Sequence, residues 1–219
     1  KADFEADFKV DELINGPFRA NTVVGKLRMA DNRLYADPFS MKLAGGSVNI
    51  KARISDLHKS ENPIAINTRI RDADIKKMFK AFKNFSQKSI TAENLSGRVS
   101  AVIDLTGRLD DEFNLKSRTV RGVVDLRIRN GRIRDYPPLQ NMSNFLFKKR
   151  DFTDVQFAEI RSHFRLQGKT LNIQRMEIES SVLTLFLEGR YTPAGDTDLS
   201  IQVPLSNLKK RDKDYKPEN

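Results

Sequence analysis

The chain has 219 residues, a formal net charge of +10, 31% charged and 38% hydrophobic residues, 11 Gly, 8 Pro and no Cys. That length fits one large domain or two small ones, and the Gly and Pro content excludes collagen-like and low-complexity material. The absence of cysteine excludes disulfides, thiolate-bound metal centres and thiol nucleophiles, and no run approaches the ~20 apolar residues of a membrane-spanning helix.

Period-2 alternation opens the chain. Phe4, Ala6, Phe8 and Val10 alternate with Asp3, Glu5, Asp7 and Lys9, which predicts a strand with one apolar and one acidic face. Further strands are expected over Thr22–Ala30, Pro38–Ala44, Ser47–Ile54 and Pro63–Arg71, with a tight hairpin across Gly45-Gly46. The period then changes. Ile75, Met78, Phe79, Phe82 and Phe85 recur at helical spacing opposite Lys76, Lys77, Lys80 and Lys83, so Asp74–Phe85 reads as an amphipathic helix with Asp72 or Asp74 as N-cap. Such a helix either closes one end of a sheet or lies on an anionic membrane.

Gln87–Asn94 is polar and reads as a linker. Alternation returns in Leu95–Leu109 and in Val120–Arg129, after which Asn130-Gly131 predicts a hairpin into Arg132–Asp135. A second short helix is expected over Leu139–Phe147, behind Pro137-Pro138. Val155–Gln167, Thr170–Glu179, Val182–Tyr191 and Asp198–Leu205 complete the strands, and the charged residues from Lys209 onward read as a frayed tail. Strands joined by short turns argue for antiparallel meanders in a mainly β fold. The chain opens on Lys1 with no signal-like apolar stretch, so an excised piece is expected.

Enzymatic chemistry finds no footing in the sequence. His58 and His163 are the only histidines, and neither has a partner at metal-ligand or triad-like spacing. No Gly-rich phosphate loop occurs. The expected catalytic, metal and cofactor assignments are therefore none. Charge is more informative. Between Lys116 and Arg134 lie seven basic residues and one acid, Asp125, a local +6 of the total +10. A hairpin at Asn130-Gly131 would set Arg129 against Arg132 and Arg127 against Arg134. Such opposed like charges cost stability unless an anion or a carboxylate lies between them. Arg127, Arg129, Arg132 and Arg134 are thus candidates for an anionic headgroup, with a solvated basic face as the alternative. Nucleic acid is not expected, because no stacking aromatics interleave with these arginines. An apolar face larger than two short helices can cover must curl on itself or stay open, and an open trough would accept acyl chains.

The stretch Gly97 to Leu109, then Val120-Arg121-Gly122-Val123-Val124-Asp125-Leu126-Arg127-Ile128-Arg129-Asn130-Gly131-Arg132-Ile133, resembles the AsmA-like carboxyl-terminal region of bacterial envelope proteins. The similarity continues through Phe157–Gly168, Leu171–Glu179 and Gly189-Arg190-Tyr191, over roughly residues 90–208. Residues 1–89 then correspond to a more variable sheet portion ending in a helix, and 209–219 to a flexible tail. The resemblance implies a periplasm-facing protein anchored to the inner membrane by a tether outside this sequence. It also implies a role in outer-membrane lipid homeostasis, akin to bridge-like lipid-transfer proteins. The fold expected from it is a long twisted antiparallel sheet curled into a taco-like groove, with two short amphipathic helices. Val99, Ala101, Ile103, Leu105, Val124, Leu126, Ile128, Ile160, Phe164, Leu183 and Leu185 are expected to line that groove against phospholipid acyl chains. A scaffold that binds another envelope protein through sheet edges or the basic face is the rival expectation.

Overall fold

Alternating side chains place apolar and polar groups on opposite faces of an extended backbone. A computed structural model describes residues 3–86, 88, 90–137, 139–141, 150–192, 197–208 and 217, and in it such segments pair into one open antiparallel sheet of twelve strands. The strands are β1 Phe4–Asn15, β2 Phe18–Ala30, β3 Arg33–Leu43, β4 Gly46–Ile54, β5 Asn62–Asp74, β6 Leu95–Leu109, β7 Arg121–Arg134, β8 Asp154–Gln156, β9 Ile160–Gln167, β10 Thr170–Glu179, β11 Thr184–Tyr191 and β12 Asp198–Gln202. Their order in space follows the chain. Only β8 leaves the path, pairing with Arg132–Arg134 of β7 while β9 pairs with Arg121–Ile128 of the same strand. Eleven strands side by side at about 4.8 Å span roughly 50 Å.

Two-residue turns join β1 to β2, β2 to β3, β3 to β4 and β9 to β10. Asp31-Asn32 and Ala44-Gly45 both take positive φ at each residue (50° and 57°, 52° and 71°), the mirror-image turn that matches strand twist. The expected Gly45-Gly46 loop is therefore displaced by one residue, and Gly46 opens β4 opposite Leu43. Its lack of a side chain has a packing cause, since a Cβ there would lie 2.5 Å from the Arg71 carbonyl oxygen.

Asn130-Gly131 makes no hairpin. β7 runs through it, because β6 supplies partners on both sides: Arg98 faces Arg129 and Ser96 faces Arg132. Residues 130 and 131 together oppose Gly97, a β-bulge with Asn130 at φ 51° and Gly97 at φ 131°. The same level of β5 carries another bulge at Asp72 (φ 50°), between the pairs Ile70 with Ala101 and Ala73 with Val99. The step this makes in the edge of β7 also breaks the expected strand Val155–Gln167 into β8 and β9. There the Phe157 N–H donates to Gly131 O (2.8 Å) and the Ala158 N–H to Glu179 O (2.9 Å).

Helix α1, Ile75–Ala81, follows β5 directly, with the Asp74 carboxylate accepting from the Lys77 N–H at 2.8 Å. Asp72, the other expected cap, instead holds two arginines. α1 is shorter than the expected Asp74–Phe85, since Lys83, Asn84 and Phe85 take positive φ and cannot continue a right-handed helix. Residues 139–141 are helical. The remainder of the expected Leu139–Phe147 helix and most of the charged tail lie outside the described residues. The main core forms where α1 meets the sheet, around Ala20, Val23, Leu43, Val48, Ala73, Met78 and Val99. A smaller cluster gathers Phe152, Val155 and Leu183. Beside it Asn207 pairs with both backbone groups of Thr184 (3.0 and 2.6 Å), standing in for a strand neighbour at the start of β11.

Candidate functional site: an apolar sheet face with a cavity under α1

Directly paired residues of neighbouring strands share a face, so the register traces one apolar surface across the sheet. Ala101 lies between Ile70 and Leu126, Val99 between Ala73 and Ile128, and Ile103 between Thr68 and Val124. Ile128 faces Ile160 and Val124 faces Phe164. Phe164 faces Ile173, and Ile173 faces Gly189 of β11, the strand on which Leu187 and Leu185 continue the row. In the other direction Phe39 lies opposite Ile50, and Phe8 opposite Gly25. Gly25 has no room for a side chain because the Phe39 ring covers it. Phe4, Phe8, Val10 and Leu13 of β1 are 46%, 39%, 40% and 44% exposed, so this face is open at its outer strand.

Near the middle the face is roofed. α1 lays Ile75, Met78 and Phe79 over β5 and β6, and Phe82 meets Phe18 edge to face at 5.7 Å. A cavity of about 600 Å³ lies beneath, walled by Met41, Leu43, Val48, Ile50, Thr68 and Ile70 on one side and by Val99, Ala101, Ile103, Val124, Leu126 and Ile128 on the other. Thr68 supplies its one hydroxyl-bearing side chain. The six residues Val99 to Ile103 and Val124 to Ile128 named from the sequence are thus brought together. Leu105, Ile160, Phe164 and Leu185 share the face outside the cavity. Leu183 precedes β11 and is buried with Phe152 and Val155. The far wall, Met41 to Ile50, and Phe18 were not named from the sequence, although the alternation of Pro38–Ala44 and Ser47–Ile54 carried the signal for the wall. Among the described residues Ser162 Oγ, across from Leu126 on this face, is buried without a hydrogen-bond partner.

The opposite face is polar and basic, and its cations share carboxylates. Arg98 and Arg129, which face each other across β6 and β7, both hold Asp72, at 2.9 Å each. Hydrogen bonding from Arg98, followed by its charge and by Arg129, keeps the Asp72 carboxyl below the usual carboxylate range. Arg132 and Arg134 share Asp154, whose carboxyl is lowered chiefly by the Arg132 hydrogen bond. Arg127 and Arg161 share Glu159, and Arg108 and Lys116 share Glu61; on the cavity side of the sheet Lys76 and Lys80 of α1 likewise share Glu93, and all three carboxyls are lowered, first by hydrogen bonds from those cations. The four arginines named from the sequence do lie together on this face, because the bulge at Asn130 absorbs one residue between Arg129 and Arg132 and restores their phase. Arg127 faces Arg161 and Arg129 faces Arg98, in place of the pairings a hairpin would give.

His163 Nδ1 lies 2.7 Å from Asp125 Oδ1, a cross-strand partner the sequence reading did not find. His58 is exposed in the turn that Asn62 pins through Asp56 O (2.7 Å) and Lys59 O (3.1 Å). Among the described residues no three His, Asp or Glu side chains gather as a metal would need, and no helix is long and apolar enough to cross a membrane. No protein-family model, curated protein or solved structure matches the chain.

Proposed function

We propose that the chain is a non-enzymatic lipid-handling module whose sheet curls into a taco-like groove and shields phospholipid acyl chains on its apolar face. The observation that carries this reading is the largely apolar surface that the register traces from β1 to β11, of which α1 roofs only the stretch near the middle. Burial stabilises by roughly 25 cal/mol per Å², so uncovered apolar area of this extent favours an apolar occupant. The cavity under α1 is the deepest part of the groove and Val99, Ala101, Ile103, Val124, Leu126 and Ile128 are its contacts with lipid tails. The resemblance to AsmA-like envelope proteins implies a periplasmic setting for such a module, with a tether to the inner membrane and a role in outer-membrane lipid homeostasis.

The test is uptake of a phospholipid carrying a fluorescent acyl chain. Wild-type protein should bind it and shield it from an aqueous quencher. Ile103→Asp and Leu126→Asp should abolish binding, because a carboxylate in an apolar cavity loses its hydration. Thr106→Asp, on the polar phase of β6, should leave it intact, and circular dichroism should show all three variants folded. Probe bound equally by all three variants would remove the cavity from the mechanism.

A second reading rests on β1. This edge strand is twelve residues long, contains no Pro and pairs with β2 on one side only, so its outer backbone groups can take a further strand. A scaffold role would use that edge to pair with a strand of another envelope protein.

A further inference from the structure

The polar face has a groove of its own, on the other side of the sheet from the apolar cavity. It measures about 650 Å³ and is bordered by Arg69 and Arg71 of β5, Ser100 of β6, Arg127 of β7, and Arg161 and His163 of β9. The register explains its shape. Ser100 faces Arg127, which faces Arg161, while Arg69 faces Val102, which faces Asp125 and then His163. The short side chains Ser100 and Val102 make a floor along β6, and guanidiniums rise from the strands on both sides.

The charges do not balance. The carboxylates at this groove are Asp125, hydrogen-bonded to His163, and Glu159, held between Arg127 (2.5 Å) and Arg161. Arg69 and Arg71 are exposed, and among the described residues neither has a carboxylate within ion-pair distance. Four guanidiniums against two carboxylates leave two positive charges. The neighbouring Arg98–Asp72–Arg129 group adds a further excess cation beside the bulge. Like charges set directly opposite, as Arg127 and Arg161 are, destabilise a sheet unless anions separate them. One carboxylate serves that pair, and among the described residues no carboxylate serves Arg69 or Arg71. The planar guanidinium fork matches phosphate oxygens two at a time.

We propose that this groove binds a multiply charged phosphate group, gripped by Arg69 and Arg71 and flanked by Arg127 and Arg161. The sheet is a single layer, so a phosphate here lies on the other side of the backbone from any acyl chain in the cavity. It belongs to a separate ligand, either a free phosphorylated anion or the headgroups of a membrane surface against which the polar face lies. The proposal is independent of lipid uptake, and either can fail alone.

Titration calorimetry with tripolyphosphate at low salt tests the site, and pelleting with phosphatidylglycerol vesicles against phosphatidylcholine vesicles tells the two sources apart. Wild-type protein should bind tripolyphosphate, with affinity falling as salt rises. Arg69→Gln combined with Arg71→Gln should weaken that binding tenfold or more without altering the thermal midpoint, since neither side chain holds an ion pair among the described residues. The doubly Lys-substituted protein, which keeps the charge and loses the fork, should fall between. Arg190→Gln, on β11, should bind as wild type does. Vesicle pelleting that needs Arg69 and Arg71 and is displaced by tripolyphosphate identifies a membrane surface; tripolyphosphate binding without pelleting identifies a free anion. Wild-type protein that binds neither, or Gln and Lys variants that both bind as wild type does, overturns the proposal.

Discussion

Ala101→Leu is the substitution that most directly asks whether the space under α1 is usable. Ala101 is 6% exposed, lies between Ile70 and Leu126, and forms part of the cavity wall. Leucine adds three carbons, and at ~0.8 kcal/mol per buried CH₂ the transfer gain is about 2.4 kcal/mol. Fixing the leucine rotamer costs ~0.5–1 kcal/mol, which leaves about 1.5–2 kcal/mol. At ~2–4 °C per kcal/mol for a chain of this size, the midpoint should rise by roughly 3–8 °C. The same atoms occupy volume an acyl chain would take, so uptake of the fluorescent phospholipid should weaken. Differential scanning calorimetry and probe titration on one preparation read both effects. A lowered midpoint, as the ~1–3 kcal/mol cost typical of overpacking would produce, with probe binding unchanged, would show that the wall has no room and that lipid binds elsewhere.

Ser162→Ala removes a buried hydroxyl that has no partner among the described residues; an unpaired group of this kind costs ~1–3 kcal/mol, so urea unfolding should show equal or greater stability, and a clear loss would reveal a bond to Ser162 Oγ. The lowered carboxyls of Asp72, Asp154, Glu159, Glu61 and Glu93 contribute stability that is complete above the ordinary carboxylate range and lost as pH falls through their depressed values. The thermal midpoint should accordingly hold from neutrality down to about pH 5 and decline below about pH 4, with a shallower decline for Asp72→Asn; a midpoint that climbs on acidification contradicts the shared-carboxylate arrangement. Amides of α1 should exchange more slowly than exposed loops and faster than those of β5 to β7, because this two-turn helix rests on a small contact through Ile75, Met78 and Phe79, whereas the central strands are hydrogen-bonded on both sides. Exchange of α1 as fast as that of the exposed turn at His58 would mean that it does not roof the cavity.

Much of this architecture is legible from alternation. Leu95–Leu109 carries a strict period of two and appears as β6 with the same bounds, and Val99, Ala101 and Ile103 fall on the face assigned to them. The reading failed where the backbone inserts an extra residue. Along β5 the apolar phase passes from Ile70 to Ala73, and along β3 from Ala36 to Phe39, because bulges there let two residues stand opposite one. A one-residue slip in phase reverses a strand's faces on paper, which is why the cavity wall on β3 and β4 was not assembled from the sequence. Asn130-Gly131 shows the same limit. The dipeptide specifies a backbone that tolerates positive φ, and both a hairpin and a bulge use that freedom. What chooses the bulge is the length of β6, which continues past Gly97 and pairs with Arg132 and Ile133. Cross-strand ion pairs such as Arg129 with Asp72, or His163 with Asp125, join residues far apart in sequence and follow only once the register is known.

Native mass spectrometry of the protein purified gently from cells tests the central claim most directly. If the apolar face carries acyl chains, the wild-type spectrum should contain phospholipid-mass adducts that dissociate on collisional activation, and folded Leu126→Asp protein should lack them. A folded wild-type protein that carries no lipid, and that leaves a fluorescent acyl chain fully open to an aqueous quencher, would contradict the account.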